Sequence, residues 1–259
     1  MRRAALLLVL APFVLAACGG GSKSSEVKLS PAAYVKQAAA KSAQAASEHV
    51  DLRGAAAVQG QQVVITGSGD FDNSTHQGSM TAHATLSGLD LQIDEVLDGT
   101  NLYMKSPLFA AMLPAGKTWL KLDLQTIGKA KGIDFSALLG QNPSQAFTQL
   151  QAIGNVTTVG DETIGGAATT HYRVTVDPSK LPHAAKLRVP AGAKLPTYDV
   201  WIGKDDGYIH RATVTYANGK QSATVTSNFS DFGKTVTVDV PPAAEVVDAT
   251  AKSLKGLGG

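Results

Sequence analysis

Three features of the 259-residue sequence predict an α+β fold that is mainly β. Apolar and polar residues alternate with period two from Val63 onward, the pattern of strands with one buried face. Short turn signals separate these runs, so successive strands pair antiparallel, without the helical crossovers of a parallel sheet. Helical spacing is confined to an opening segment and a few interruptions of the meander. The chain has a single cysteine, so no disulfide can form within it and the fold must rest on core packing.

The first element is an export signal. Arg2 and Arg3 form a positive n-region, Ala4 to Val14 an apolar h-region, and Leu15-Ala16-Ala17 leads into Cys18. The apolar run is shorter than the roughly 20 residues that a membrane-spanning helix needs. Leu15-Ala16-Ala17-Cys18 is a lipobox and resembles that of bacterial lipoproteins, in which the cysteine thiol takes a diacylglycerol thioether and the chain is cut just before it. An ordinary secretory signal with an incidental Cys18 is the plain alternative, but a lone thiol in an exported chain favours lipidation of Cys18. Loss of residues 1–17 removes Arg2 and Arg3 and leaves 21 basic against 21 acidic residues, a neutral mature chain of 242 residues. The whole-chain charge of +2 therefore implies no acidic partner and no nucleic acid. A chain of this length buries roughly 70–75% of its unfolded surface, which suffices for a core without crosslinks. Residues 18–29 read as the lipidated cysteine and a flexible tether, reaching at most about 35 Å from the membrane surface. Residues 30–242 read as one domain and 243–259 as a C-terminal tail.

Ser30-Pro31 starts the first helix, with serine at the N-cap and proline at the first helical position. From Ala32 to Glu48 an apolar stripe of Tyr34, Val35, Ala38, Ala39, Ala43 and Ala46 suits close packing on a sheet. Val63, Ile65, Gly67, Gly69 and Phe71 then share one strand face, followed by Met80, Ala82, Ala84 and Leu86, and by Leu89, Leu91 and Ile93. Asp72-Asn73-Ser74, Ser87-Gly88 and Asp98-Gly99 supply the turns, the last returning Leu97 to Leu102 and Met104. Trp119 to Leu124 alternates again, with Leu120, Leu122 and Leu124 inward. Val156–Ile164, Thr169–Val176, Tyr198–Ile202, Ile209–Tyr216 and Ser222–Phe229 continue as strands, with turns at Gly165-Gly166, Asp206-Gly207 and Asn218-Gly219. Pro178 to Pro196 is a long excursion with a short helical stretch at Ser179 to Lys186. Val236, Val238 and Val240 form a last strand stopped by Pro241-Pro242, and the chain from Ala243 is a weak helix or frayed end.

Two interruptions stand out. Pro107 to Pro114 (PLFAAMLP) is apolar and uncharged between two strands. Asn142-Pro143-Ser144-Gln145 caps a second helix whose stripe is Phe147, Leu150 and Ile153. Both meet the apolar face of the sheet, either as plain core insertions or as covers that line an apolar cavity beneath them.

The sequence offers no catalytic constellation. None of the six histidines is spaced from another as helical metal ligands are, and none has a cysteine partner, so no metal and no cofactor are expected. Ser25-Glu26-Val27-Lys28 matches a serine–lysine hydrolase spacing but lies in the tether, where nothing desolvates the lysine. Asp94-Glu95 and Asp205-Asp206 are adjacent carboxylates; neighbours along a strand face opposite ways, and solvated acids are the default reading. Aromatic residues, 6% of the chain, are not interleaved with basic ones, which argues against nucleic acid.

A lipobox, a tether, an opening helix, an antiparallel meander, helical insertions and closing hairpins follow in that order. So do the phrases Asp98-Gly99-Thr100-Asn101-Leu102-Tyr103-Met104, Trp119-Leu120-Lys121, Tyr198-Asp199-Val200-Trp201-Ile202 and Asp206-Gly207-Tyr208-Ile209-His210-Arg211. Over nearly all of its mature length the chain resembles the LppX/LprG-type lipoproteins of actinobacteria, within the wider LolA/LolB-like lipoprotein-carrier group. The resemblance implies a half-open, curved antiparallel β-barrel with helices covering the concave face, and acyl chains of a lipid or acylated amphiphile bound between. It implies a protein exported and anchored at the outer face of the cell membrane through Cys18, with a membrane transporter as a possible partner. Gly67, Gly69 and Gly78 stand where strands of such a sheet could bend. The family supplies no compact binding motif; the apolar pattern nominates Leu102, Met104, Phe109, Met112, Leu113, Leu120, Phe147 and Leu150 as cavity residues. The alternative function is an interaction module whose filled sheet docks a membrane enzyme, transporter or sensor without carrying lipid.

Overall fold

The computed structural model describes residues 29–58, 61–86, 89–110, 112–131, 147, 150, 153–176, 196–218 and 221–251. The signal, Cys18, the tether, the Ser87-Gly88 turn, the start of the second helix, the 178–195 excursion and the end of the tail lie outside the described residues.

Helix α1 (Pro31–Ala43) starts as its cap signals require: the Ser30 hydroxyl accepts from the Ala33 N–H at 3.3 Å, and Pro31 occupies the first helical position. It ends short of the expected Glu48, which belongs instead to strand β1 (Ser47–Val58). There follow β2 (Gln61–Asp72), β3 (Gln77–Leu86), β4 (Leu89–Asp98), β5 (Asn101–Lys105), the single turn α2 (Pro107–Ala110), β6 (Trp119–Asp123) and α3 (Leu124–Lys131). The second half holds β7 (Ile153–Ile164), β8 (Ala167–Val176), β9 (Thr197–Gly203), β10 (Ile209–Asn218), β11 (Gln221–Ser230) and β12 (Val246–Asp248).

These strands form one 12-stranded sheet in the order β12-β6-β5-β4-β3-β2-β1-β11-β10-β9-β8-β7. The sheet ends at β12 and β7 and does not close on itself. The expected antiparallel sheet is corrected at one edge, where β12 pairs parallel with β6. No hairpin delivers β12. From Ser230 the chain passes β1, where the Gly233 N–H donates to the Ser47 carbonyl and the Ser47 hydroxyl to that of Lys234, and reaches β6, where the Thr118 N–H donates to the Glu245 carbonyl. The Val236–Val240 alternation lies in this strap and pairs with no strand, against the expected final strand. A strand does form beyond Ala243, where the sequence reads a weak helix or frayed end.

Other expectations shift at element ends. Leu124 opens α3 instead of closing β6, and Ile153 starts β7 instead of completing a helical stripe. Strand β1, central in the sheet between β2 and β11, has no counterpart in the sequence reading, which passes from the opening helix to Val63. Its in-phase residues are Glu48, Val50, Leu52, Gly54 and Ala56, a set with weak strand propensity that the two neighbouring strands hold in place.

The buried cluster that packs against α1 lies on one half of the sheet. Val35, Ala38 and Ala39 of α1 join Val50, Tyr172, Val174, Val200, Ile202, Ile209, Phe229, Phe147 and Leu150 in one cluster. Small residues on the helix stripe let α1 approach the strands closely, as the alanine spacing predicts. Ser42 turns its hydroxyl to accept from the Ile209 N–H at 2.9 Å, and the Tyr34 hydroxyl donates to the Gly203 carbonyl, which fixes the helix across the strand ends. Two of the glycines flagged as bend sites permit close approach between β2 and β3. A Cβ at Gly69 would collide with the Ser79 carbonyl and the Met80 backbone, and one at Gly78 with the Phe71 ring.

Candidate functional site

Cross-strand partners in a sheet share a face, so the register assembles one apolar surface from residues far apart in sequence. One row runs Val50–Gly69–Met80–Glu95–Met104–Leu120 from β1 to β6. The neighbouring row brings Leu97 beside Leu102 and Leu102 beside Leu122. On the other side of β1 the same face continues through Phe229, Ala212 and Val200 to Tyr172.

Burial divides this face. Under α1, Phe147 and Leu150, the residues Val50, Val174, Val200 and Ile202 are fully buried. Over β2–β6 the apolar residues of the same face, among them Leu91, Ile93, Leu97, Leu102, Met104, Leu120 and Leu122, are half-buried, and Ile65 is 39% exposed. The chain has thus built an apolar face twice as wide as the part its packed core fills.

The nominated cavity residues fall into three groups. Leu102, Met104 and Leu120 lie on adjacent strands of the half-buried part. Phe147 and Leu150 lie in the packed core, where the Phe147 ring meets that of Phe229 edge-on at 5.1 Å. Phe109, Met112 and Leu113 belong to the α2 turn and the bend after it, where Phe109 and Leu113 are half-buried and Met112 is 64% exposed. The apolar Pro107–Pro114 segment therefore leaves two of its large side chains, Leu108 and Met112, facing solvent.

Sequence reasoning missed Glu95. Its default reading was a solvated acid, whereas the register puts it on the apolar face, paired with Met80 on one side and Met104 on the other. Burial is the one cause that raises its carboxyl above the usual range. The signal was present in the alternation, since Glu95 is in phase with Leu89, Leu91 and Ile93. Its neighbour Asp94 lies on the opposite face and accepts from Thr81 and Gln92.

That opposite face is mostly polar, with Val96 and Tyr103 buried on it. A hollow of about 320 Å³ on β1–β6 is lined by His49, Ser68, Asp70, Thr81, Asp94 and Trp119 among others, and one of about 480 Å³ lies beside α2 near Lys105 and Lys117. Burial opposes the charge of His49, but the Asp70 carboxylate 2.7 Å from Nδ1, helped by Asp51, outweighs it and raises the imidazole above its ordinary value. His171 stacks on Trp201 at 4.1 Å and has Glu162 at Nδ1 and Asp199 at Nε2, 3.2 and 2.8 Å away. With a carboxylate on each ring nitrogen, it is held in place and has no free nitrogen to activate a nucleophile. Among the described residues, no three His, Cys, Asp or Glu side chains converge on a metal-sized site.

The model of the LppX_LprAFG lipoprotein family matches residues 30–238. An uncharacterized 31.2 kDa protein of Streptomyces griseus is 29% identical over 169 residues, 56% of this chain and 55% of that one. A Streptomyces coelicolor chain bearing a lipoprotein name is 28% identical over 140 residues, 51% of this chain and 43% of that one. The chain thus spans about half the length of these curated relatives. Among solved structures, the Mycobacterium tuberculosis lipoprotein LppX superposes with a TM-score of 0.52 at 18% identity, covering 81% of this chain and 98% of that one, and so shares its fold.

Proposed function

The chain belongs to the LppX_LprAFG lipoprotein family, and from that premise we propose that it is a membrane-anchored, non-catalytic carrier of acylated lipids. The observation that carries the proposal is the half-buried apolar face of β2–β6, which continues the packed core without being filled by it. In this reading the sheet curves as a half-open barrel, helices cover part of its concave face, and acyl chains lie against Leu102, Met104 and Leu120. Phe109 and Leu113 stand at the rim, while Phe147 and Leu150 support the floor from the core. Apolar burial at roughly 25 cal/mol per Å² drives binding, with no covalent step. Cys18 carries the diacylglycerol anchor at the outer face of the cell membrane, the tether lets the domain work beside the bilayer, and a membrane transporter is the partner that loads or unloads it.

The test is lipid mass spectrometry on the full chain, produced in an actinobacterial host and extracted with organic solvent beside an unrelated lipoprotein. A near-stoichiometric diacyl or triacyl species beyond the covalent anchor is expected. An empty protein that also fails to take up a photoreactive diacylglycerol would overturn the carrier reading and favour a docking module.

A further inference from the structure

The apolar face of β2–β6 carries one carboxyl that the proposed function does not use. Glu95 lies in the middle of the row Met80–Glu95–Met104, with Ile93 and Leu97 next in phase along its own strand. It is half-buried, so a molecule lying on the face can reach it. Among the described residues no hydrogen bond or ion pair engages its carboxyl: burial is the whole cause of its raised affinity for a proton. No charge on the adjacent strands faces it, since β3 presents Gly78, Met80 and Ala82 there, and β5 presents Leu102 and Met104. The charges of Asp94 and Lys105 lie on the opposite face, and the next carboxyl on its own face, Glu48, is three strands away on β1.

A carboxyl placed among methionines and leucines, partnerless and reachable, is costly unless something uses it. It adds nothing to acyl-chain burial. What it can add is one directional contact in a site otherwise without direction, as the few polar groups of apolar pockets do. We propose that Glu95, as the neutral acid, donates a hydrogen bond to a carbonyl oxygen of an ester-linked acyl ligand, and that its ionised form repels free fatty-acid anions from the same face. This rests on the carrier reading and gives it a ligand class: neutral acyl esters in preference to free acids. Methionine on both sides suits the role, because its flexible side chain repacks around acyl chains of different length and leaves the carboxyl as the fixed point.

The experiment uses the full chain in phosphatidylcholine nanodiscs. A diacylglycerol and a fatty acid of the same chain length, each bearing a diazirine, are crosslinked to it, and labelling is read by mass spectrometry from pH 5 to 8. The wild type should label with the diacylglycerol at the acid end of this range, where Glu95 is the neutral donor, and should lose both diacylglycerol and fatty-acid labelling as pH rises, relative to Glu95→Gln. At the acid end of the range, Glu95→Gln keeps an N–H donor and should hold diacylglycerol labelling within about twofold of wild type, whereas Glu95→Leu, with no donor, should lose about fivefold, the worth of one hydrogen bond. Equal diacylglycerol labelling of wild type and Glu95→Leu, or the same fatty-acid pH profile in wild type and Glu95→Gln, would overturn the role of Glu95 and leave the carrier reading standing. A wild type that labels with neither probe overturns both.

Discussion

Leu150 and Leu102 offer a direct test of how the apolar face is divided. Leu150 is 1% exposed within the core cluster, so Leu150→Ala removes a filled volume that its neighbours cannot fully reoccupy. Buried Leu→Ala changes cost about 2–5 kcal/mol from lost transfer energy plus a residual cavity. For a chain of this length each kcal/mol lowers Tm by about 2–4 °C, so a fall of about 5–15 °C is expected. Leu102 is half-buried beside Leu97 and Leu122, and truncating it forfeits only part of a methylene count already open to solvent. Leu102→Ala should therefore cost about 1 kcal/mol, a few degrees, by the same area reasoning. The order reverses for ligand. Crosslinking of a photoreactive diacylglycerol, expressed per folded molecule, should fall severalfold in Leu102→Ala and stay near wild type in Leu150→Ala at a temperature where both are folded. The assay pairs thermal unfolding with the same crosslinking readout on both variants. If Leu102→Ala destabilises as much as Leu150→Ala while its labelling is unchanged, the β2–β6 face is ordinary core and the reasoning is refuted.

Three further outcomes follow from particular contacts. Thr250 and then Lys121, 2.9 Å away, hold the Asp248 carboxyl down at about 2. A carboxyl depressed in the fold stabilises above its ordinary value near 3.8 and loses that contribution as pH falls toward 2. The β12–β6 pairing should accordingly loosen across that window, read as a fall in protection of the Ala249 amide relative to its intrinsic exchange rate at each pH; this amide donates to the Lys121 carbonyl at 2.9 Å, and unchanged protection there would contradict the assignment. Gly69→Val forces a side chain into the β2–β3 contact at the Met80 backbone and should cost at least about 1–3 kcal/mol in denaturant unfolding, the range for overpacked sites. Cys18→Ala should move the protein from the membrane fraction to the soluble extracellular fraction, and retention in the membrane would show that another segment anchors it.

Where each residue obtains its structure explains what was legible. The alternations at Val63–Phe71, Met80–Leu86 and Leu89–Ile93 are local, and each became one face of one strand in the expected phase. The Ser30-Pro31 cap and the Gly165-Gly166 turn, where both glycines take positive φ, are likewise written in a few adjacent residues. Strand β1 was not legible, because alanine and glycine at Ala55 to Ala57 and Gly54 carry little intrinsic preference; its ladder comes from β2 on one side and β11 on the other. The valines at 236, 238 and 240 show the converse: Val236 and Val238 are half-buried and Val240 is exposed, so alternation here records an extended segment, not a ladder partner. For the site, Leu102, Met104 and Leu120 were legible as an apolar set, and their adjacency needed the register of β5 on β6. For Glu95, phase along β4 is a better guide to burial than its acid type.

The path from β11 to β12 also sets the order in which the molecule can be completed. The β1–β6 meander consists of neighbours in sequence and can assemble before the C-terminal strands are made. Until the last segments follow, it carries two raw edges, one on β1 and one on β6. Both are sealed from the C-terminal end, β1 by β11 and β6 by β12, with a single strap joining the two closures. A chain truncated before Gln221 would leave both edges open at once, and unpaired edges are the templates on which sheets aggregate. Both closures thus wait for the C-terminal segments, and the seating of the strap is the late event that completes the sheet.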